Sequence, residues 1–276
     1  MKKLAFTLAA VCIILAGCMA EKPYTAPRHV PEPAVQAATP DPNRSGAATP
    51  GGTVSELVTL AEQAWENNND AVGWLRVPGT AIDDAVFRRY GDNSYYLRRG
   101  ADRRYSFGGV YYADGLAGFG NGSAEGLGRN TVIYGHSMSD SKNDAKFGPI
   151  RFYFEEDFAR ENPVIYFSTL RDELAWEVIA IFYTHIDMPY NTPGNDEALF
   201  AGVVEEAMRK SILDFGYSYS SDDKFLTLST CVYSLPDSGA ISYPNDYRLA
   251  LMARLLPEGE KPRAQVKRNL NILQDR

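Results

Sequence analysis

The sequence predicts a mainly β domain, a barrel or a sandwich with flanking helices. Three observations predict it. Eight short apolar runs, rich in β-branched and aromatic residues, are separated by clusters of Gly, Pro, Asn and Asp, the pattern of short strands joined by turns. Between them lie three stretches with apolar residues at helical spacing. The chain has 276 residues, of which 45% are hydrophobic and 23% charged, so it is too apolar for disorder and long enough to bury a core without disulfides. The net charge of −7 argues against a nucleic-acid partner, which requires a basic face. With 3 cysteines and 3 histidines in all, neither a zinc cage nor a disulfide framework is expected, and no metal or organic cofactor is called for.

The N-terminus reads as an address. Lys2 and Lys3 precede an apolar run from Leu4 to Leu15, which ends in Leu15-Ala16-Gly17-Cys18. A positive start, a short apolar segment and small residues at its end describe an export signal over residues 1–17. The Cys after Leu-Ala-Gly resembles the lipobox of bacterial lipoproteins, which implies cleavage before Cys18 and a diacylglycerol on its thiol. The alternative is an uncut signal anchor, since Leu4 to Ala20 barely suffices to span a bilayer. Either way the membrane is a partner and the body sits on its outer face, held by lipid or by a spanning helix. Residues 18–53 then form a linker extended by Pro23, Pro27, Pro31, Pro33, Pro40, Pro42 and Pro50, with a reach of up to about 100 Å at ~3.3 Å per residue.

The folded domain is expected over residues 54–258. Leu57, Leu60, Ala61, Ala64 and Trp65 recur at helical spacing behind a capping Ser55. Strands are predicted over Val72–Val77, Ile82–Phe87, Gly109–Tyr112, Thr131–Tyr134, Val164–Ser168, Leu174–Thr184, Phe225–Thr230 and Tyr247–Leu255. Helical stretches separate them over Phe147–Arg160 and Glu197–Leu213; in the second, Phe200, Val203, Val204, Ala207, Ser211 and Ile212 share a face. The glycine-rich segment Gly115–Gly128 lacks the following helix and the spacing of a phosphate loop and reads as a flexible surface loop. Asp140, Asn143 and Asp144 are too irregularly spaced for a calcium loop. The tail over 259–276, with five basic and two acidic residues, reads as a solvated basic end.

Chemistry concentrates at strand ends. Cys12 leaves with the signal and Cys18 is committed to lipid, so Cys231 is the remaining thiol. It ends the run Phe225-Leu226-Thr227-Leu228-Ser229-Thr230-Cys231. Alternation puts Leu226, Leu228 and Thr230 on the core face, and Thr227, Ser229 and Cys231 on the more polar one. A structural Cys would favour the leucines' face; a reactive one needs a neighbouring base or cation. His136 ends the run Asn130-Thr131-Val132-Ile133-Tyr134-Gly135-His136, with Gly135 allowing a sharp turn or a close backbone approach. His185, after Tyr183-Thr184, is the rival. Arg248, in Asp246-Tyr247-Arg248-Leu249-Ala250-Leu251, faces away from the alternating leucines, either as a surface charge or as a fixed cation beside a site. Distance along the chain is no obstacle to the three meeting.

Thr227-Leu228-Ser229-Thr230-Cys231 resembles the T-L-x-T-C signature of sortases, the cysteine transpeptidases of Gram-positive surfaces. Asn130 to His136 is similar to their histidine segment, and Asp246-Tyr247-Arg248-Leu249 to their arginine strand. Val72-Gly73-Trp74-Leu75, Pro78-Gly79-Thr80-Ala81-Ile82-Asp83 and Asp92-Asn93-Ser94-Tyr95-Tyr96-Leu97 resemble class B, as does a helix ahead of the Cys strand. The resemblance covers roughly Ser55 to Leu256. It implies an eight-stranded β-barrel with flanking helices, one N-terminal and one before the Cys strand. It also implies a mechanism in which Cys231 attacks the carbonyl after the Thr of a C-terminal sorting motif on a surface protein. His136 protonates the leaving amine, Arg248 stabilises the tetrahedral oxygen or positions the peptide, and an amine of peptidoglycan, of a lipid-linked precursor or of another surface protein resolves the thioester. Asn93, Leu97, Tyr134 and Ser229 match positions that line the peptide groove. Two features depart from the family: Val232 stands where some members carry an acid after the Cys, and the N-terminus is lipobox-like rather than a plain anchor. Papain-like peptidases place Cys before His, the reverse of this order. L,D-transpeptidases place a His shortly before an S-H-G-C segment, whereas His136 lies 95 residues before Cys231. A tethered binding module on the same barrel is the non-enzymatic alternative, and it predicts an unreactive Cys231.

Overall fold

The computed structural model describes residues 55–120, 122–235, 246–263 and 265–273. The export signal, Cys18, the linker and residues 236–245 after the Cys strand lie outside the described residues. In chain order the elements are α1 (Glu56–Asn67), β1 (Ala71–Arg76), β2 (Asp83–Phe87), β3 (Tyr111–Ala113), β4 (Asn130–Tyr134), a 3₁₀ helix (Gly148–Phe154), α2 (Glu156–Glu161), β5 (Val164–Ser168), β6 (Ala175–His185), α3 (Glu197–Lys210), β7 (Leu213–Asp214), β8 (Phe225–Cys231), β9 (Tyr247–Leu255) and β10 (Lys267–Arg268). The eight predicted strands all form, each bound within two residues of its expected limit. They close in the order β1-β2-β3-β4-β8-β9-β6-β5, with β5 returning to β1. The choice between barrel and sandwich is thereby resolved as a barrel, in which no long strand edge is left open. β2–β3 and β4–β8 run parallel and the other barrel pairs antiparallel.

Three apolar layers follow from alternation. Leu75, Val86, Ile133, Phe167, Trp176, Ile181, Leu226, Leu228, Leu249 and Leu251 fill the barrel. Outside β1–β4, Ala71, Ala85, Phe87 and Tyr112 are covered by Tyr96 and Val110, with Trp65 of α1 packed alongside. Outside β6, β8 and β9, Ala180, Phe182, Phe225, Ala250 and Met252 are covered by Phe200, Val203, Val204 and Ala207 of α3. Both faces of the central strands are therefore buried, which is why these runs are apolar or small throughout.

The helices form where periodicity places them, with local departures. Ser55 caps α1, its Oγ accepting from Val58 N–H at 3.5 Å. The helical stretch at 147–160 breaks in two at Glu155, whose backbone is extended. α3 stops at Lys210 because Ser211 turns extended and spends its hydroxyl on Ile181 N–H (3.0 Å) and Leu213 carbonyl (2.6 Å), so Ser211 and Ile212 do not continue the helical face.

Two expectations are corrected. The segment Gly115–Gly128 is a packed cap rather than a flexible loop. Ala117, Phe119 and Leu127 are buried, Phe119 bridges to Leu127, and Lys224 Nζ donates to the carbonyls of Ala124 and Leu127 at 2.8 and 2.9 Å. Its glycines serve contact: a Cβ on Gly120 would lie 2.6 Å from Gly126 Cα. The cap closes the barrel end where β4 and β8 begin, opposite Cys231. The tail, expected in solvent, adds β10 to β7 and buries Val266, and Arg263 Nη1 lies 2.5 Å from the buried carboxylate of Glu177.

Candidate active site

Register brings the three predicted residues to one end of three adjacent strands. Cys231 on β8 pairs directly with Arg248 on β9, and Arg248 pairs with Thr184 on β6. Residues directly opposite in a ladder share a face, with Cβ atoms about 4.5–5.5 Å apart. On the other side of β8, Tyr134 of β4 pairs with Ser229, and Gly135 N–H donates to Ser229 carbonyl at 3.2 Å. His136 follows Gly135 directly, at the same end of the β4–β8 pair as Cys231. Cys231 lies on the outer face of the barrel, as alternation predicted, paired with Arg248. That face is not solvent along its length: Thr227 and Ser229 are fully buried and Cys231 is half-buried.

His185 is set apart by the same alternation. It pairs with Tyr247, one step from the Thr184–Arg248–Cys231 row, and so points to the other face. Its ring meets Tyr247 edge-on at 5.2 Å, and its Nδ1 lies 3.1 Å from the Asp187 carboxylate.

His136 is fixed from both sides. Its backbone carbonyl accepts from Phe147 N–H at 2.8 Å. Its Nε2 lies 2.7 Å from the Leu97 carbonyl, which can only accept, so Nε2 carries the proton and Nδ1 is the ring's acceptor. Leu97 reaches this place because Gly109, at φ +54, passes with its would-be Cβ 2.6 Å from Leu97 O; no other residue fits there. Burial lowers the His136 pKa below the ordinary histidine value. The Leu97 bond opposes this, and Arg98 and Lys146 add to the lowering by charge repulsion. The imidazole is therefore neutral at pH 7 and ready to take a proton on Nδ1.

No family model matches the chain. It is 28% identical over 165 residues to sortase B of Listeria monocytogenes serovar 1/2a, covering 59% of this chain and 63% of that relative. It is 26% identical over 165 residues to sortase B of Staphylococcus aureus, covering 59% and 64%. The chain thus spans less than two thirds of the length of the curated relatives it matches. Among solved structures, a S. aureus sortase B–substrate complex superposes with a TM-score of 0.60 at 21% identity, over 72% of this chain and 86% of that one. Clostridium perfringens sortase B superposes at 0.58 and 23%, over 71% and 98%. The fold is the sortase fold.

On this sortase barrel the four residues expected at the groove take unequal settings. Leu97 contributes its carbonyl to His136. Asn93 is exposed, its Nδ2 donating to Asp114 Oδ2 at 2.8 Å and its Oδ1 accepting from Gly115 N–H at 2.6 Å. Tyr134 donates to the same Asp114 oxygen at 2.9 Å and accepts from Asn191 Nδ2 at 3.2 Å; burial and that carboxylate raise its pKa well above the ordinary tyrosine value. Ser229 is buried, its hydroxyl 2.9 Å from the Tyr190 hydroxyl.

Asp114 and Tyr190 escaped the sequence reading. Asp114 simply follows a short strand, and Tyr190 sits in a Pro-bounded connection between β6 and α3. Tyr190 is 3% exposed, its pKa raised by burial, and its hydroxyl lies within electrostatic reach of both Arg248 and Cys231. No local pattern marks either residue, because their partners come from distant strands.

Proposed function

We propose that the protein is a cysteine transpeptidase of the sortase B kind. One observation carries the reading: Cys231 pairs with Arg248 across β8 and β9, at the barrel end where β4 runs into His136, on a sortase barrel. Cys231 Sγ attacks the carbonyl carbon after the Thr of a C-terminal sorting motif, and its proton passes to His136 Nδ1. Arg248 steadies the negative oxygen of the tetrahedral intermediate, which a fixed cation does more effectively in a partly buried site than in water. The C–N bond breaks as the His136 imidazolium returns its proton to the leaving amine, and a thioester on Cys231 remains. An incoming amine, from peptidoglycan or a lipid-linked precursor, attacks the thioester; His136 accepts its proton, and the thiolate leaves and is reprotonated. Asn93, Leu97 and Tyr134 line the peptide's path, with Ser229 and Tyr190 below it.

Surface proteins bearing a sorting motif are the acyl donors. The likeness to a protein solved as a substrate complex supports a peptide in this groove. The reading sets the domain on the extracellular face of the membrane, held through a lipid on Cys18 or an uncut N-terminal segment, with residues 18–53 as its reach.

The test is direct. Incubated with a sorting-motif peptide and no amine, the intact chain gains the mass of the N-terminal peptide fragment on Cys231 and releases the C-terminal one. Cys231→Ala gains nothing. An intact, folded chain that forms no adduct with any member of a sorting-peptide library sinks the proposal in favour of a binding module.

A further inference from the structure

One buried charged group has no part in this chemistry, yet it touches both of its strands. Arg151, on the 3₁₀ helix, is 3% exposed. Its Nη1 donates to Ser137 Oγ at 3.0 Å, and its Nη2 to Asp140 Oδ1 at 2.8 Å and to the Cys231 carbonyl at 3.5 Å. Asp140 in turn accepts from Tyr233 N–H at 3.0 Å and from the Ser234 hydroxyl at 2.8 Å. The Tyr233 hydroxyl donates to the Ser137 carbonyl at 2.9 Å. Ser137 directly follows His136, and Tyr233 comes two residues after Cys231.

These links begin where the sheet stops. The β4–β8 pairing ends at Tyr134 and Ser229, and one further bond, from Gly135, extends it. His136 and Cys231 lie beyond that last pair, so what joins the chain after each of them bears on how the two sit against each other. Arg151 and Asp140 join it. A buried Arg is costly unless paired, and an apolar side chain of similar volume would serve packing as well or better. The charge is best explained by what it holds.

We infer that Arg151 and Asp140 form a clamp that positions the His136 imidazole against the Cys231 thiol; both are positioning residues, and their role rests on the transpeptidase reading above. Reacting groups misplaced by about 1 Å lose on the order of a hundredfold in rate, so the clamp acts on the chemical step and leaves peptide binding to the groove.

The test couples Arg151 to His136 without needing turnover. Alkylation of Cys231 by iodoacetamide is timed in the full chain, in His136→Ala, in Arg151→Lys and in the double variant. Expected is a change of about tenfold between the intact chain and His136→Ala that shrinks to less than twofold in the Arg151→Lys background. Asp140→Asn, which keeps shape and removes charge, gives the same collapse and carries the cycle if Arg151→Lys does not fold. Lys224→Ala, at the far barrel end, leaves the tenfold ratio intact. With a sorting-motif peptide, Asp140→Asn loses about 10- to 100-fold in kcat at a KM within twofold. The clamp is refuted if the His136 ratio is the same with and without it, a ratio of one in both backgrounds included. A chain that shows the collapse but never turns over peptide instead overturns the transpeptidase reading and keeps the clamp.

Discussion

At the residue scale the proposed constellation turns on which face each side chain takes and on how its charge is tuned. His136 is the sensitive member. Burial and the nearby charges of Arg98 and Lys146 disfavour its cationic form, against the pull of the Leu97 carbonyl, so its folded pKa lies below the ordinary value. The sign of each neighbour's effect follows: removing a positive charge makes the imidazolium easier to form. NMR titration of the His136 Cε1 proton should give a midpoint below that of an unstructured histidine, and Lys146→Gln and Arg98→Gln should each move it upward. The acid limb of kcat/KM should move with it in the same variants. Midpoints that stay put would mean the lowering is burial alone. The sequence marked His136 and Cys231 because each closes a strand run, and Arg248 because it faces away from the leucines near the start of one, local properties that the family resemblance reinforced. It did not mark Asp114, Tyr190 or Arg151, because each is defined by contacts with strands far away in the chain. His185 shows the limit of the local signal: it too ends a strand, and a single step of alternation sends it to the wrong face.

At the element scale the site depends on glycine used for contact. A Cβ on Gly135 would come within 2.6 Å of the Phe147 ring and 2.8 Å of the Tyr111 ring, and those rings stack at 4.6 Å with no room to move. Gly135→Ala should therefore cost about 1–3 kcal/mol by overpacking, read as a lower urea midpoint. It should also cut kcat, since His136 is the next residue and Phe147 N–H holds its carbonyl. Adding Phe147→Leu makes space, and the pair should regain most of the lost stability; a pair no more stable than Gly135→Ala alone would locate the strain elsewhere. The sequence anticipated a close approach at Gly135 because a lone glycine in a β-branched run has few other reasons to be there. It misread Gly115–Gly128 for the converse reason. Six glycines in one segment look like freedom, whereas Gly120 and Gly126 here meet backbone to backbone and the apolar residues flanking them, Phe119 and Leu127, are buried in the barrel core. The strands were legible throughout because alternation is local, while closure into a barrel follows from pairings the chain does not announce.

At the scale of the whole molecule the two barrel ends divide the work. The end carrying Cys231, His136 and Arg248 holds the proposed chemistry, and the opposite end holds a buried ion-pair network. There Glu177 is 2% exposed, with Arg254 Nε at 2.7 Å and Arg263 Nη1 at 2.5 Å; Arg254 also contacts Glu260 and lies 3.9 Å from Asp223. This network ties β6 to β9 and fastens the tail, whose basic residues looked like a solvated end only because their acidic partner lies 86 residues earlier. Breaking a buried ion pair on one side strands the other charge at a cost of about 3–5 kcal/mol. Asp223 and Glu260 remain to Arg254, so Glu177→Ala should sit near the lower figure, a fall in Tm of about 10 °C for a domain of this size. Amide exchange should quicken at β10 and β7, which the tail holds together. Below the transition, thioester formation on Cys231 should proceed at an unchanged rate, because no strand end in the site touches Glu177. A variant that kept its Tm but lost acyl transfer would show that the two ends are coupled through the barrel, and that the separation of stability from chemistry argued here is wrong.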